Sequence, residues 1–301
     1  MRIIVAATPA VAIPTLDALR ESGHELVSVI TRPDAPAGRG RSLQATEVSN
    51  WAQSHGVLVH KPADKEALRE LVKGAELVVT IGYGRLIPID ILQIPRYGFI
   101  NLHFSLLPRW RGAAPVQRAI EAGDRVTGVT VFALDAGMDT GPIYDQAEIE
   151  LAMDLSSDQL FEILADLGVD PVLKSIEKIA NGEVPRPQAD SGATRALKLT
   201  REEGRIDWGF PAIDISRKVN AFNSNPGAWS EFRGETIKIN QVSLSEKVLP
   251  VASIEVADNS IYIGTATVAL KLIEVTPAGK AKMSALAWSN GARISSTDVL
   301  L

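Results

Sequence analysis

Cysteine is absent from the 301-residue chain, which excludes disulfides, thiol nucleophiles, cysteine redox chemistry and thiolate metal sites. That absence is compatible with a reducing cytoplasm, where the protein is expected to act. Long apolar runs are also missing. Ile3–Ala7 is too short for the core of an export signal and reads as a buried strand, and no later run approaches the length of a membrane span. A glycine-rich G-x-G-x-x-G is lacking at the first strand-to-helix turn, where the residues are Ala6, Ala7, Thr8 and Pro9. Nothing there lets a pyrophosphate approach the backbone, so the turn argues against a nicotinamide dehydrogenase. Internal repeats and low-complexity tracts are not found either.

What is present describes a globular protein long enough for one large core or two ordinary ones, with 46% hydrophobic and 22% charged residues. A net charge of −5 argues against a generic nucleic-acid binder, which gains affinity from many phosphate contacts. Arg32, Arg39, Arg41, Arg85, Arg109, Arg111 and Arg118 nevertheless fall in or near expected loops. They form either one positive face or a set of unrelated solvated side chains.

The first half alternates β-rich runs with amphipathic segments. Arg2–Ala7 reads as a strand, followed by a helix with Thr8 at the N-cap and Pro9 at its first position. Further units lie at 25–30, 46–55, 57–60, 64–73, 77–81 and 98–103. Such alternation predicts an α/β domain with a Rossmann-like, mostly parallel sheet, flanking helices and a ligand crevice at the strands' carboxyl ends. Residues 31–44 read as a long loop, and loops of that length inside a compact domain are often functional. A helix is expected through 155–180, broken or kinked at Asp170-Pro171.

Beyond a connector, a helix at 212–222 and strands at 228–232, 236–244, 251–257, 260–265 and 268–275 suggest a small β-barrel of the oligonucleotide-binding type. Arg233-Gly234 and Asp258-Asn259 are the expected turns. The domain bounds are therefore 1–188 for catalysis, 189–206 for a linker and 207–301 for the barrel.

Asn101, His103 and Ser105 sit two residues apart where a strand ends, so alternation points them to one side. Asp139, in Asp139-Thr140-Gly141 after another strand, can supply a carboxylate to the same pocket. Moving an acyl group between amines needs a polarised carbonyl, a base for the attacking nitrogen and an acid for the leaving one. Asn101 can donate to the oxyanion, His103 can donate a second hydrogen bond or act as acid, and Asp139, reaching His103 directly or through water, can fix the imidazole, favour its charged form and carry a proton between the two nitrogens. No metal is required. Each residue also has a plain structural role: Asn101 as a turn cap, His103 as a buried histidine, Asp139 as part of a turn. Ser105, Leu106, Leu107 and Pro108 form a short apolar loop suited to packing a flat heterocycle or to plugging the core. His24, His55 and His60 lack comparable company.

At these positions the sequence resembles the folate-dependent formyltransferase family, whose mark is Asn-x-His with a downstream Asp, met here as Asn101, His103 and Asp139. The likeness runs through Pro36–Gly40, Ser105–Pro115, Gly137–Gly141, Lys198–Trp208 and Pro277–Ser284, nearly the whole chain. It implies 10-formyltetrahydrofolate as co-substrate, with Ser105, Leu106, Leu107 and Pro108 lining its site. It also implies methionine on initiator tRNA as acceptor, with Arg32, Arg39 and Arg41 reaching the acceptor end and the barrel touching the tRNA. No membrane and no obligate protein partner are expected. The catalytic trio is shared by relatives acting on nucleotide-sugar amines or other small amines, which is the alternative acceptor class. A binding module that has lost catalysis is disfavoured because all three roles are filled. The sequence departs from the family's habit at Ala7, where Gly is common, and residues 207–301 carry nine acidic and nine basic side chains.

Overall fold

Leu77–Ile81 is buried at every position, the pattern of a strand with neighbours on both sides and helices over both faces. It is the centre of a seven-stranded sheet. A computed structural model describes residues 1–37, 42–295 and 297–301. Its strands are β1 (Arg2–Ala7), β2 (Glu25–Ile30), β3 (Val59–His60), β4 (Leu77–Ile81), β5 (Phe99–His103), β6 (Val126–Ala133) and β7 (Ile143–Glu150). Their order is β7-β6-β5-β4-β1-β2-β3. The pairings β3–β2, β2–β1, β1–β4 and β4–β5 are parallel, and β5–β6 is antiparallel. The expected Rossmann-like, mostly parallel arrangement is therefore present.

The chain folds as two units, each assembled from more than one stretch of sequence. One comprises Met1–Gly112, Val126–Ile149 and Phe161–Arg195, and the other Ala113–Arg125, Glu150–Leu160 and Ala196–Leu301. In the first, the core includes Ile3, Ile4, Leu77, Phe99, Ile100 and Phe132, each at most 2% exposed. Burying such a side chain contributes roughly 1.5–3 kcal/mol.

Local signals are met at several ends. Thr46 and Asp64 cap helices Glu47–Ser54 and Lys65–Val72, accepting from the Ser49 and Ala67 N–H groups. Thr8 does not cap: its hydroxyl donates to the Tyr83 carbonyl, and a short 3₁₀ turn at Ala10–Ala12 precedes helix Ile13–Glu21. The expected long helix is two, Ser157–Leu167 and Val169–Ala180. The break lies at Gly168, not at Asp170-Pro171, because proline is tolerated in a helix's first turn. A Cβ on Gly168 would stand 2.6 Å from a Leu102 methyl, so the chain passes close over β5 there. The 31–44 loop contains a short antiparallel pair, Ala35–Ala37 with Ser42–Gln44.

The second unit carries β8 (Trp229–Phe232), β9 (Glu235–Leu244), β10 (Ile254–Ala257), β11 (Ser260–Ile263), β12 (Leu270–Pro277) and β13 (Met283–Ser284). They form a curled antiparallel half-barrel in the order β8-β9-β12-β11-β10, with β13 against β12. Both expected turns have left-handed backbones, Arg233-Gly234 at φ 50° and 81°, Asp258-Asn259 at 50° and 54°, as tight hairpins require. Val299 bridges to Ser253 and Leu300 to Phe232, tying the two edge strands together. Helix Ala285–Ala292, capped by Ser284, has no counterpart among the elements expected from the sequence.

Candidate active site

Thr80 and Asn101 are register partners on the parallel strands β4 and β5. The Thr80 hydroxyl lies 2.8 Å from Asn101 Oδ1 and 3.0 Å from the Ile100 carbonyl. With Oδ1 accepting from that hydroxyl, the amide is oriented so that its Nδ2 hydrogens are left for another acceptor. No sequence motif points to Thr80. Its one signal is a polar residue in the otherwise apolar run Leu77–Ile81.

Two residues on, His103 is 6% exposed. Its Nε2 lies 2.9 Å from the Trp110 carbonyl, an acceptor only, so Nε2 carries the proton and Nδ1 presents its lone pair. Nδ1 is 3.9 Å from Asp139 Oδ2. Burial against groups such as Phe132, whose ring meets the imidazole edge-on at 6.3 Å, holds the His103 pKa below its ordinary value. The Asp139 carboxylate and the Trp110 hydrogen bond pull the other way without prevailing. The carboxylate does favour the charged imidazole, as expected, but desolvation outweighs it, so the net shift is downward and favours the neutral ring.

Asp139 is delivered by a loop between β6 and β7. Asp135 accepts from the Gly137 N–H at 2.9 Å and the Thr140 hydroxyl at 2.8 Å, closing the turn. Gly141 then passes so near β6 that a Cβ would sit 1.8 Å from the Ala133 carbonyl; no other residue fits without moving backbone. Asp139 Oδ2 accepts from the Gly112 N–H at 2.7 Å, which anchors the carboxylate beside His103.

The loop at 105–108 is held from beneath. Thr130 Oγ1 donates to the Ser105 carbonyl at 2.7 Å and accepts from the Leu107 N–H at 3.0 Å, and Gln146 Nε2 reaches both Thr130 and the Leu107 carbonyl. The Ser105 hydroxyl donates to the Arg109 carbonyl. Leu107 is buried with Phe132 and Ile143, whereas Leu106 and Pro108 are half-buried.

The seven arginines do not act alike. Arg32 is exposed, and Arg39 and Arg41 lie outside the described residues. Arg85 donates to the Pro62 carbonyl, and Arg109 lies 4.4 Å over the Trp110 ring. Arg111 holds the Gln188 side chain. Arg118, in the second unit, pairs with Glu121 and Glu203. Arg111 and Arg118 are thus committed within the protein. Of the other histidines, His55 stacks on Trp51, and burial lowers the pKa of His24 and His60.

A family model described as formyl transferase matches residues 1–175, and one for the formyl transferase C-terminal domain matches 198–293. A curated methionyl-tRNA formyltransferase of Salinispora tropica is 43% identical with all of both chains covered. That of Thermobifida fusca is 44% identical over 98% of this chain and 97% of its own. A solved structure of HypX from Aquifex aeolicus in complex with tetrahydrofolic acid matches at a TM-score of 0.70 and 20% identity, covering 96% of this chain and 47% of that one. On the two family matches and the full-length identity, the chain belongs to the formyl transferase family.

Proposed function

We propose that this protein transfers the formyl group of 10-formyltetrahydrofolate to the α-amino group of methionine on initiator tRNA. The observation that carries the acceptor is the 43% identity, over the whole length of both chains, to a relative named for that reaction. The neutral imidazole beside a carboxylate and an oriented carboxamide supports the chemistry.

The folate, when bound, supplies a formyl group on nitrogen. Leu106 and Pro108 offer the half-buried apolar surface to pack its ring system, with Ser105 and Leu107 forming the wall behind. Asn101 Nδ2, fixed by Thr80, donates to the carbonyl oxygen as negative charge develops there, an effect worth about 10²–10³ in rate. His103 Nδ1 accepts the proton that the attacking amine gives up, and the nearby Asp139 carboxylate stabilises the imidazolium as it forms. The same proton is then delivered from Nδ1 to the departing nitrogen, restoring the neutral ring. General acid–base help of this kind contributes about 10²–10⁴.

Arg32, Arg39 and Arg41 contact the acceptor end of the tRNA, and residues 207–301 contact its body. The reaction takes place in the cytoplasm, where charged tRNA is found. Incubating the purified protein with labelled 10-formyltetrahydrofolate and either methionyl initiator tRNA or an amino-sugar nucleotide tests this. Label on methionine supports it; label on the sugar alone contradicts it.

A further inference from the structure

Gln188 and Thr194 lie beyond helix Val169–Ala180, in a stretch with the look of a linker, yet each bonds to a residue that flanks His103. Gln188 Nε2 donates to the carbonyl oxygens of Asp139 and Gly141, both at 2.8 Å. Its Oε1 accepts from Arg111 Nε at 3.0 Å and Nη2 at 2.6 Å. A guanidinium can only donate, so Arg111 fixes which way the Gln188 amide faces and sends both its hydrogens to the Asp139 loop. On the other side, Thr194 Oγ1 accepts from the Trp110 N–H at 2.8 Å, and the Trp110 carbonyl is the acceptor for His103 Nε2.

Both residues so held have left-handed backbones, Trp110 at φ 63° and Asp139 at φ 55°. Non-glycine residues persist in that region only where neighbours over-determine them. Gln188 and Thr194 supply that restraint at the two places that decide the imidazole's direction and its separation from the carboxylate.

We propose that Gln188 and Thr194 are positioning residues for formyl transfer: without touching substrate, they set the His103–Asp139 geometry, Gln188 through the Asp139 backbone and Thr194 through Trp110. The inference rests on His103 and Asp139 being the proton-handling pair.

Gln188→Glu separates positioning from simple stapling. The carboxylate keeps and strengthens the Arg111 contact but loses both donated bonds and faces two carbonyl oxygens. With methionyl initiator tRNA and 10-formyltetrahydrofolate, kcat is expected to fall about tenfold to a hundredfold, the scale of a small misplacement of reacting groups. Both KM values and the melting temperature are expected to stay unchanged. Asp139 is the charged group that raises the His103 pKa, so in Gln188→Met, which also loses both donated bonds but adds no charge, the acid limb of the kcat profile should move to lower pH as the carboxylate swings away. Thr194→Val should lose kcat likewise, and Thr194→Ser, which keeps the hydroxyl, should restore it. Wild-type kcat in both Gln188→Glu and Thr194→Val, with a wild-type pH profile in Gln188→Met, overturns the proposal, as does a loss matched by a fall in melting temperature. His103→Ala and Asp139→Asn run in the same assay: if these two are also fully active, His103 and Asp139 are not the proton-handling pair.

Discussion

His103 Nδ1 faces Asp139 Oδ2 at 3.9 Å while Nε2 of the same ring is committed to the Trp110 carbonyl. The two nitrogens therefore differ: Nε2 holds the ring, and Nδ1 keeps a lone pair able to accept a proton. Burial keeps the ring neutral at rest, the state in which Nδ1 can accept.

Asn101→Ala removes the amide proposed to donate to the developing oxyanion and is expected to lower kcat by about 10²–10³ with little change in either KM. Thr80→Val leaves the amide but deletes the hydroxyl that orients it, and a smaller loss of kcat is expected. Steady-state kinetics on the two variants check this; equal kcat in Thr80→Val and the parent would remove Thr80 from the account.

Stability should fall as pH drops below about 6.5, the ordinary histidine value. The sign follows from His103: its folded pKa is lowered, by burial first, so the unfolded chain takes up a proton before the folded one does. The stabilisation is complete above the unfolded pKa and is lost as pH falls toward the folded value. His24 and His60 shift the same way. Melting curves between about pH 7.5 and 5.5 test it, with His103→Gln expected to show a shallower decline.

Leu107→Ala is expected to destabilise the protein by about 2–5 kcal/mol, the range for emptying a buried leucine site. Leu107 is 4% exposed and packs with Phe132 and Ile143. Denaturant unfolding measures the loss. Unchanged stability would mean that the side chain does not belong to the core.

Arg39→Ala should raise the KM for tRNA far more than that for folate and reduce the slope of log KM against log salt by about one counterion. Initial rates across a salt series provide the check. An equal effect on both substrates would contradict a role for the 31–44 loop at the tRNA.

Much of this arrangement can be read from residues alone. Period-two alternation and the apolar runs locate the strands, the units at 46–55 and 64–73 contain helices Glu47–Ser54 and Lys65–Val72, and the Arg233-Gly234 and Asp258-Asn259 pairs mark tight turns. The Asn101–His103 spacing at a strand end and the Asp139-Thr140-Gly141 turn identify three groups, of which His103 and Asp139 stand 3.9 Å apart. The rest depends on tertiary contact. Thr8 looks like a cap but finds the Tyr83 carbonyl, and Gly168 breaks a helix where the chain crowds Leu102. Gln188 and Thr194 carry no local pattern, because their partners are 49 and 84 residues away in the chain.

Single-turnover transfer of labelled formyl to methionyl initiator tRNA by His103→Ala tests the proton-handling role most directly. The variant is expected to bind both substrates and leave methionine unlabelled on the timescale of the parent. Transfer at the parent's rate would contradict it.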